Sequence, residues 1–334
     1  MLTPRAGDVP SGARNTVCTA GDHNYLWGLF LIAASMRRFG MDEPLLVGAK
    51  ALTARDRRVL EQFGRVAFLD LGHAGRSLTC HKAEVMLAAG TEFVTWADSD
   101  ALFKGNCSAL LPPPDARAIR VRRRGAAEMP GAFPAGCDLA RILATWRLDV
   151  AAAAGLPPAA IPEATAADVA AFRSCSACYL SLARSQERFL RVWHALQMRL
   201  PEGDVGVVDR SLACYHQLDE SCLNACLAFL PGAPEVTETY GLDRDPERIY
   251  LHFIGRPKPW EGWTPRSARH IETVVSTVEW AVAQGLELPG GVPFSLRRAH
   301  LALNRRTARL CEVLFKIRRR LDGLRRRLGR AAGA

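Results

Sequence analysis

The chain has 334 residues, enough for one large α/β domain with a substantial core. Apolar residues make up 49 % of it, which excludes a chain kept unfolded by its own polarity. The net charge of +10 sits in one place: residues 296–334 hold thirteen Arg or Lys against Glu312 and Asp322, so the other 295 residues sum to about −1. A neutral body lacks the basic face that nucleic-acid binding needs, and no nucleic-acid partner is expected.

The opening "MLTPRAGDVPSG" is polar and broken at Pro4, Gly7 and Pro10, so residues 1–14 read as a flexible N-terminus with no secretory signal. "TVCTA" (16–20) is a short β run, followed by a helix from about Asn24 to Phe39. Its apolar stretch "YLWGLFLIAASM" (25–36) is too short for a membrane span and reads as a buried helix. "EPLLVGA" (43–49) and "RVAFLDL" (65–71) are strands around a helix over 53–63, for which Thr53 is an N-cap candidate. A helix over 79–90, closed by Gly90, leads to the strand "EFVTWADSD" (92–100). Strands and helices alternating at this pace predict an α/β fold with a mostly parallel central sheet flanked by helices.

The middle of the chain is less regular. "ARAIRVRRRG" (116–125) reads as a strand, and the Ala/Pro-rich 148–172 as a surface excursion. A strand over 177–183, helices over 185–197 and 219–230, and a late strand "RIYLHFIG" (248–255) complete the body. The pairs in "CSAC" (Cys175, Cys178) and "CLNAC" (Cys222, Cys226) have zinc-like spacing. They fall on a strand and an apolar helix face, not in Gly-rich knuckles, so buried thiols are expected.

In an open α/β sheet, ligands bind beyond the carboxyl ends of the strands. "TAGDHNY" follows the first strand and "DSD" ends the fourth, so both face one crevice. Asp98 and Asp100, with Ser99 between them, repel unless a cation or proton intervenes. Oxygen ligands suit Mg2+ or Mn2+, and an added imidazole such as His252 favours Mn2+. In "HFIGRPKPW" (252–260), Lys258 could neutralise a diphosphate oxygen, and Gly255 leaves room for backbone to approach it.

With these residues the chain resembles the retaining GT-A glycosyltransferases, a Rossmann-like fold, in the family of glycogenin and the bacterial lipopolysaccharide galactosyl- and glucosyltransferases. "HFIGRPKPW" matches the family's late motif at His252, Gly255, Lys258, Pro259 and Trp260, and "DSD" fills its Asp-x-Asp slot. Lys82 stands where the family carries a basic donor-binding residue, Tyr25 where an aromatic packs on uracil, and "LDESCLN" where it has Asp-Gln-x-x-Leu-Asn. The resemblance spans roughly residues 15–264.

The resemblance implies a metal-dependent hexosyltransferase that moves glucose or galactose from a UDP-sugar to an envelope glycan such as lipopolysaccharide. Asp98, Asp100 and His252 would hold Mn2+, with Mg2+ as the substitute. Ala20 and Asp22, in the turn after the first strand, together with Tyr25, Lys82, Ser99, Gly255 and Lys258, would bind the UDP-sugar. Asp219 and Glu220 would stand at the anomeric carbon. Two departures qualify this. Glu220 replaces the family's Gln, and a carboxylate there could stabilise an oxocarbenium ion or attack it. Cys175, Ser176 and Ala177 align with the family's Asn-Ser/Ala-Gly, so a thiol replaces an amide. A UDP-sugar hydrolase and a catalytically silent GT-A-like binding protein remain the alternatives.

The catalytic domain is expected over 15–286, with a Gly/Pro linker over 287–295 and a basic amphipathic tail over 296–334. Leu310, Val313, Leu314, Ile317, Leu321, Leu324 and Leu328 recur at helical spacing, with Arg318, Arg319, Arg325, Arg326 and Arg327 alongside. A helix of this kind fits an anionic membrane interface, and the alternatives are a partner helix or RNA. The membrane reading puts the protein in the cytoplasm, at the inner face of the cell membrane, near a lipid-linked acceptor.

Overall fold

The computed structural model describes residues 12–72, 77–125, 133, 137–199, 214–215, 217–238 and 250–331, with side chains as far as Arg318. The tail positions Arg319, Leu321, Leu324, Arg325, Arg326, Arg327 and Leu328 therefore lie outside the described side chains.

The strands are β1 (Asn15–Gly21), β2 (Leu45–Ala49), β3 (Val66–Asp70), β4 (Phe93–Ala97), β5 (Ala101–Phe103), β6 (Ala118–Arg123), β7 (Cys175–Ala183), β8 (Glu235–Glu238) and β9 (Tyr250–His252). The helices are α1 (Leu26–Arg38), α2 (Ala54–Glu61), α3 (Lys82–Ala88), α4 (Leu139–Ala154), α5 (Ala166–Ala171), α6 (Glu187–Arg199), α7 (Leu218–Phe229), α8 (Ile271–Ala283) and α9 (Leu301–Ala331). Seven strands form one sheet in the order β3-β2-β1-β4-β7-β6-β8. Pairing is parallel from β3 through β4 and antiparallel on both sides of β7. This is the mixed, mostly parallel α/β sheet that the alternating pattern predicts.

Local chemistry accounts for the boundaries. Thr53 and Asp56 form a reciprocal capping box at the start of α2, satisfying two donors the helix leaves open. Gly155 ends α4 in the left-handed region at φ 67°, which only a residue without Cβ adopts cheaply. One apolar cluster, with Trp96, Trp146 and Trp193, lies under α3, α4, α6 and α7. A second, with Phe30, Phe63 and Tyr179, lies under α1 and α2. A third joins Leu31 of α1 to Val275 of α8, Trp263 and Ala308 of α9.

Two sequence expectations are corrected. Residues 148–154 belong to the 16-residue α4 and not to a surface excursion. Asp98, Ser99 and Asp100 lie in the turn beyond β4, not within the strand. At the far end, Leu296 and Ala308 are buried, and Asn304 Nδ2 donates to the Ser295 carbonyl at 3.0 Å, so the first turns of α9 rest on the body. The face of α9 turned away carries Leu303, Leu310, Val313, Leu314 and Ile317, between 46 and 57 % exposed.

Candidate active site

The short pair β5–β9 builds the site. Its antiparallel register sets Ala101 opposite His252, immediately after the Asp-Ser-Asp turn. The Phe253 N–H extends the pairing by donating to the Asp100 carbonyl at 2.9 Å. Sheet hydrogen bonding alone thus carries the late imidazole to the acids. His252 Nε2 stands 3.1 Å from Asp100 Oδ1 and 3.5 Å from Asp98 Oδ2.

Asp98 is fixed before any ligand arrives. Trp96 Nε1 and Lys82 Nζ both donate to its Oδ1 at 2.7 Å, so the other oxygen faces His252. Its N–H donates to the Cys178 carbonyl at 3.0 Å and to the Tyr250 hydroxyl at 2.8 Å, and that hydroxyl donates to the Cys178 carbonyl at 3.0 Å. Lys82 is 2 % exposed and uses all three of its donors. They reach Asp98 and Asp219 at 2.7 Å each and the Ala177 carbonyl at 2.9 Å. Burial works against the Lys82 charge, but Asp219 and Asp98 outweigh it and hold the ammonium above its ordinary pKa.

Asp100 pairs with His252 and with Lys258 Nζ, which also donates to the Phe253 carbonyl at 2.8 Å. Burial opposes its ionisation, but His252 and Lys258 outweigh that and hold it well below the usual carboxylate range. For Asp98, burial prevails over Lys82 and His252 and raises the pKa. A divalent ion fits this donor set. One ligand atom each from Asp98, Asp100 and His252 lie within 4.8 Å of one another, and two carboxylates with an imidazole suit Mn2+. The His252 ring also faces the buried Cys178 thiol.

The approach to the cluster is open at Gly255, which has φ +82° and nothing within 4 Å of a built Cβ. Opposite lies Tyr25, edge-on to Trp260 at 5.9 Å and under the Arg256 guanidinium at 5.7 Å. Asp22 caps the short turn over 23–25, accepting from the Tyr25 N–H at 3.2 Å. Ser99 is buried, and its carbonyl nearly touches α1: a Cβ on Gly28 would stand 1.9 Å from that oxygen and 2.7 Å from the Trp260 ring.

The first turn of α7 supplies Asp219 and Glu220, both buried. Arg124 holds Glu220 in a two-pronged ion pair, with Nη2 donating to Oε2 at 2.9 Å and Nη1 to Oε1. Asn224 ties α7 to β7: its Oδ1 accepts from the Cys175 N–H at 2.6 Å and its Nδ2 donates to the Cys175 carbonyl at 2.8 Å. The Cys175 thiol is buried and pushed up to about 11. Every described cysteine is a free thiol, and Cys175, Cys178, Cys222 and Cys226 are buried.

Three expectations change in detail. Ala20 is not in a turn but inside β1, its side chain in the core, so only its backbone is left to meet a ligand. Lys82 and Lys258 are not free cations awaiting phosphate, because both already neutralise the acids. Sequence reasoning also missed Trp96, Arg124, Tyr250 and Gly28, and read Asn224 only as the end of the "LDESCLN" segment. Of these, Gly28 inside an apolar helix was a readable signal of close approach.

No protein-family model and no curated protein matches this sequence. Among solved structures, the galactosyltransferase LgtC, in complex with donor and acceptor sugar analogues, is similar at a TM-score of 0.48 and 15 % identity, over 80 % of this chain and 95 % of that one. The apo form of the glycosyltransferase GlyE of Streptococcus pneumoniae TIGR4 is similar at 0.47 and 13 %, over 83 % and 65 %. The bifunctional glycosyltransferase WbbM, in its apo structure, gives 0.46 and 12 %, over 82 % of this chain and 52 % of that one, so this chain spans about half of WbbM. At these scores and identities the functional reading rests on the side chains described above.

Proposed function

We propose that the protein is a metal-dependent, retaining glycosyltransferase that moves a hexose, glucose or galactose, from a UDP-sugar to an envelope glycan acceptor. One observation carries the reading: β5–β9 pairing brings His252 within 3.5 Å of both Asp98 and Asp100, with Lys258 on the same carboxylate. Nothing in packing alone requires two carboxylates, an imidazole and an ammonium to share one crevice at the carboxyl end of the sheet, and clusters of mutually perturbed titratable groups concentrate at functional sites.

The residues divide the work. Asp98, Asp100 and His252 would hold Mn2+, which when bound supplies positive charge to the departing diphosphate. Lys258 lies where its ammonium can turn from Asp100 to a phosphate oxygen as charge develops there, a stabilisation larger in the transition state than in the ground state. Gly255 leaves the backbone bare beside the phosphates, while Tyr25, Asp22 and the Ala20 backbone face the uridine side. Asp219, steadied by Lys82, would orient the donor sugar, and Glu220 would oppose positive charge at its anomeric carbon.

The exposed apolar row on α9, together with Arg305, Arg306, Arg309, Lys316 and Arg318, supports a further reading, that the tail lies on an anionic membrane beside a lipid-linked acceptor. Among the described residues no helix is long and apolar enough to cross a membrane.

One observation favours a silent binding protein instead: Lys82 and Lys258 already neutralise the acids. The two readings part in one assay. A panel of UDP-sugars is screened for release of UDP with Mn2+ and with a chelator. Metal-dependent release, stimulated by a glycan acceptor, is the expected result; equal release without acceptor favours a hydrolase, and none at all favours the silent protein.

A further inference from the structure

β6 and β7 lose register between Val121 and Arg122: Val121 faces Leu180, but Arg122 faces Ser176. The residues of β7 that drop out of the ladder include Ala177 and Cys178, whose carbonyls serve Lys82, Asp98 and Tyr250. The same irregularity re-aims the end of β6, as bulges beside functional sites do. Arg124, one residue past β6, is anchored by its N–H to the Ser174 carbonyl at 2.8 Å and by Nη1 to the Ser174 hydroxyl at 3.2 Å. From there its guanidinium closes on Glu220 through both nitrogens. Both side chains are nearly buried, at 14 and 11 % exposed.

We propose that Arg124 is a positioning residue, which locks Glu220 in one orientation and favours its negative charge facing the donor sugar. The inference rests on the reading of Glu220 given above. It removes the choice between charge and nucleophile in favour of charge, because a carboxylate gripped at both oxygens by a rigid guanidinium fork neither turns nor shares its electrons freely. It also accounts for the exchange of an amide for a carboxylate at this position: the acid comes with its own counter-ion.

The groups facing Glu220 are Arg124 beyond β6, the Cys175 thiol on β7 and Asp219 beside it on α7. Asp219 is engaged by Lys82, and Arg123 faces the Cys175 thiol. Burial holds the Glu220 carboxyl above its ordinary pKa, and Arg124 with the Ala177 N–H offsets only part of that. Without Arg124 that offset is lost, so the carboxyl's pKa rises further and its charge is harder to keep. Activity then returns only as pH rises through the raised pKa.

The test measures kcat and KM for Mn2+-dependent UDP release from UDP-galactose or UDP-glucose, across pH 6 to 9, for the parent, R124M, R124K, E220Q and R124M/E220Q. The expected result is an R124M kcat about 100-fold down at pH 7, recovering toward alkaline pH, with donor KM changed by less than about threefold. R124K, with one charge but no fork, falls between, and the double variant matches E220Q with no alkaline recovery. Melting temperatures separate unfolding from lost chemistry; should R124M fail to fold, R124K and the charge-free double variant carry the comparison. An R124M or R124K profile identical to the parent overturns the role of Arg124, as does an alkaline recovery that persists in the double variant. E220Q with normal turnover contradicts instead the catalytic reading of Glu220.

Discussion

Asp98 divides its two oxygens. One accepts from Trp96 and Lys82, and the other faces His252, so the carboxylate is oriented by the protein alone. Residues that hold a ligand in this way matter nearly as much as the ligand itself. His252→Ala is expected to weaken Mn2+-dependent UDP binding by about 100-fold, read by calorimetry, with little change in melting temperature. Unchanged binding would remove the imidazole from the site. Tyr250→Phe deletes the hydroxyl that bridges the Asp98 N–H and the Cys178 carbonyl. The expected cost is about 1–3 kcal/mol of stability, measured by denaturant unfolding, and the residual Asp98-to-Cys178 bond places it toward the lower end. The convergence of Asp98, Asp100 and His252 was legible in the sequence because each sits in a short motif. Trp96, Tyr250 and Arg124 were not, since an aromatic or basic residue on a strand reads as ordinary packing or surface until its partner is known.

At the scale of elements, the site depends on how closely α1 approaches the turn after β4. Gly28 allows that approach, because any Cβ there would overlap the Ser99 carbonyl. Alanine in a helix interior is ordinarily favourable by about 1 kcal/mol over glycine. Here the clash reverses the sign. Gly28→Ala should lower the melting temperature and displace the acids, weakening metal-dependent UDP binding by about tenfold; a gain in stability with normal binding would contradict the packing. The first βα units were readable from their alternation and from the Thr53 cap, since parallel strands with short crossovers leave strong local signals. α4 was misread although Gly155 and Pro157 mark its end, because an Ala-rich run carries little amphipathic contrast. The β5–β9 pair was out of reach: Ala101–Phe103 is three residues long, and its partner is far along the chain.

At the scale of the whole molecule, charge is separated from chemistry. The body is nearly neutral and holds the site, while the excess of basic residues lies beyond Leu296. Leu314 and Ile317, on the face of α9 turned from the body, are 55 and 48 % exposed. If that face enters a membrane, each contributes on the order of 1.5 kcal/mol. Leu314→Glu with Ile317→Glu should then reduce binding to vesicles with anionic lipid by on the order of 100-fold, in a flotation assay, without altering UDP binding. Retained flotation would assign the face to something other than lipid.

The convergence of Asp98, Asp100 and His252 on one cation beside a diphosphate is most directly tested by calorimetry with UDP, in Mn2+ and again in chelator. The account predicts saturable binding in Mn2+ that weakens at least about tenfold without the metal, and a loss of that difference in His252→Ala. Equal affinity in both conditions, or no heat in either, would contradict it.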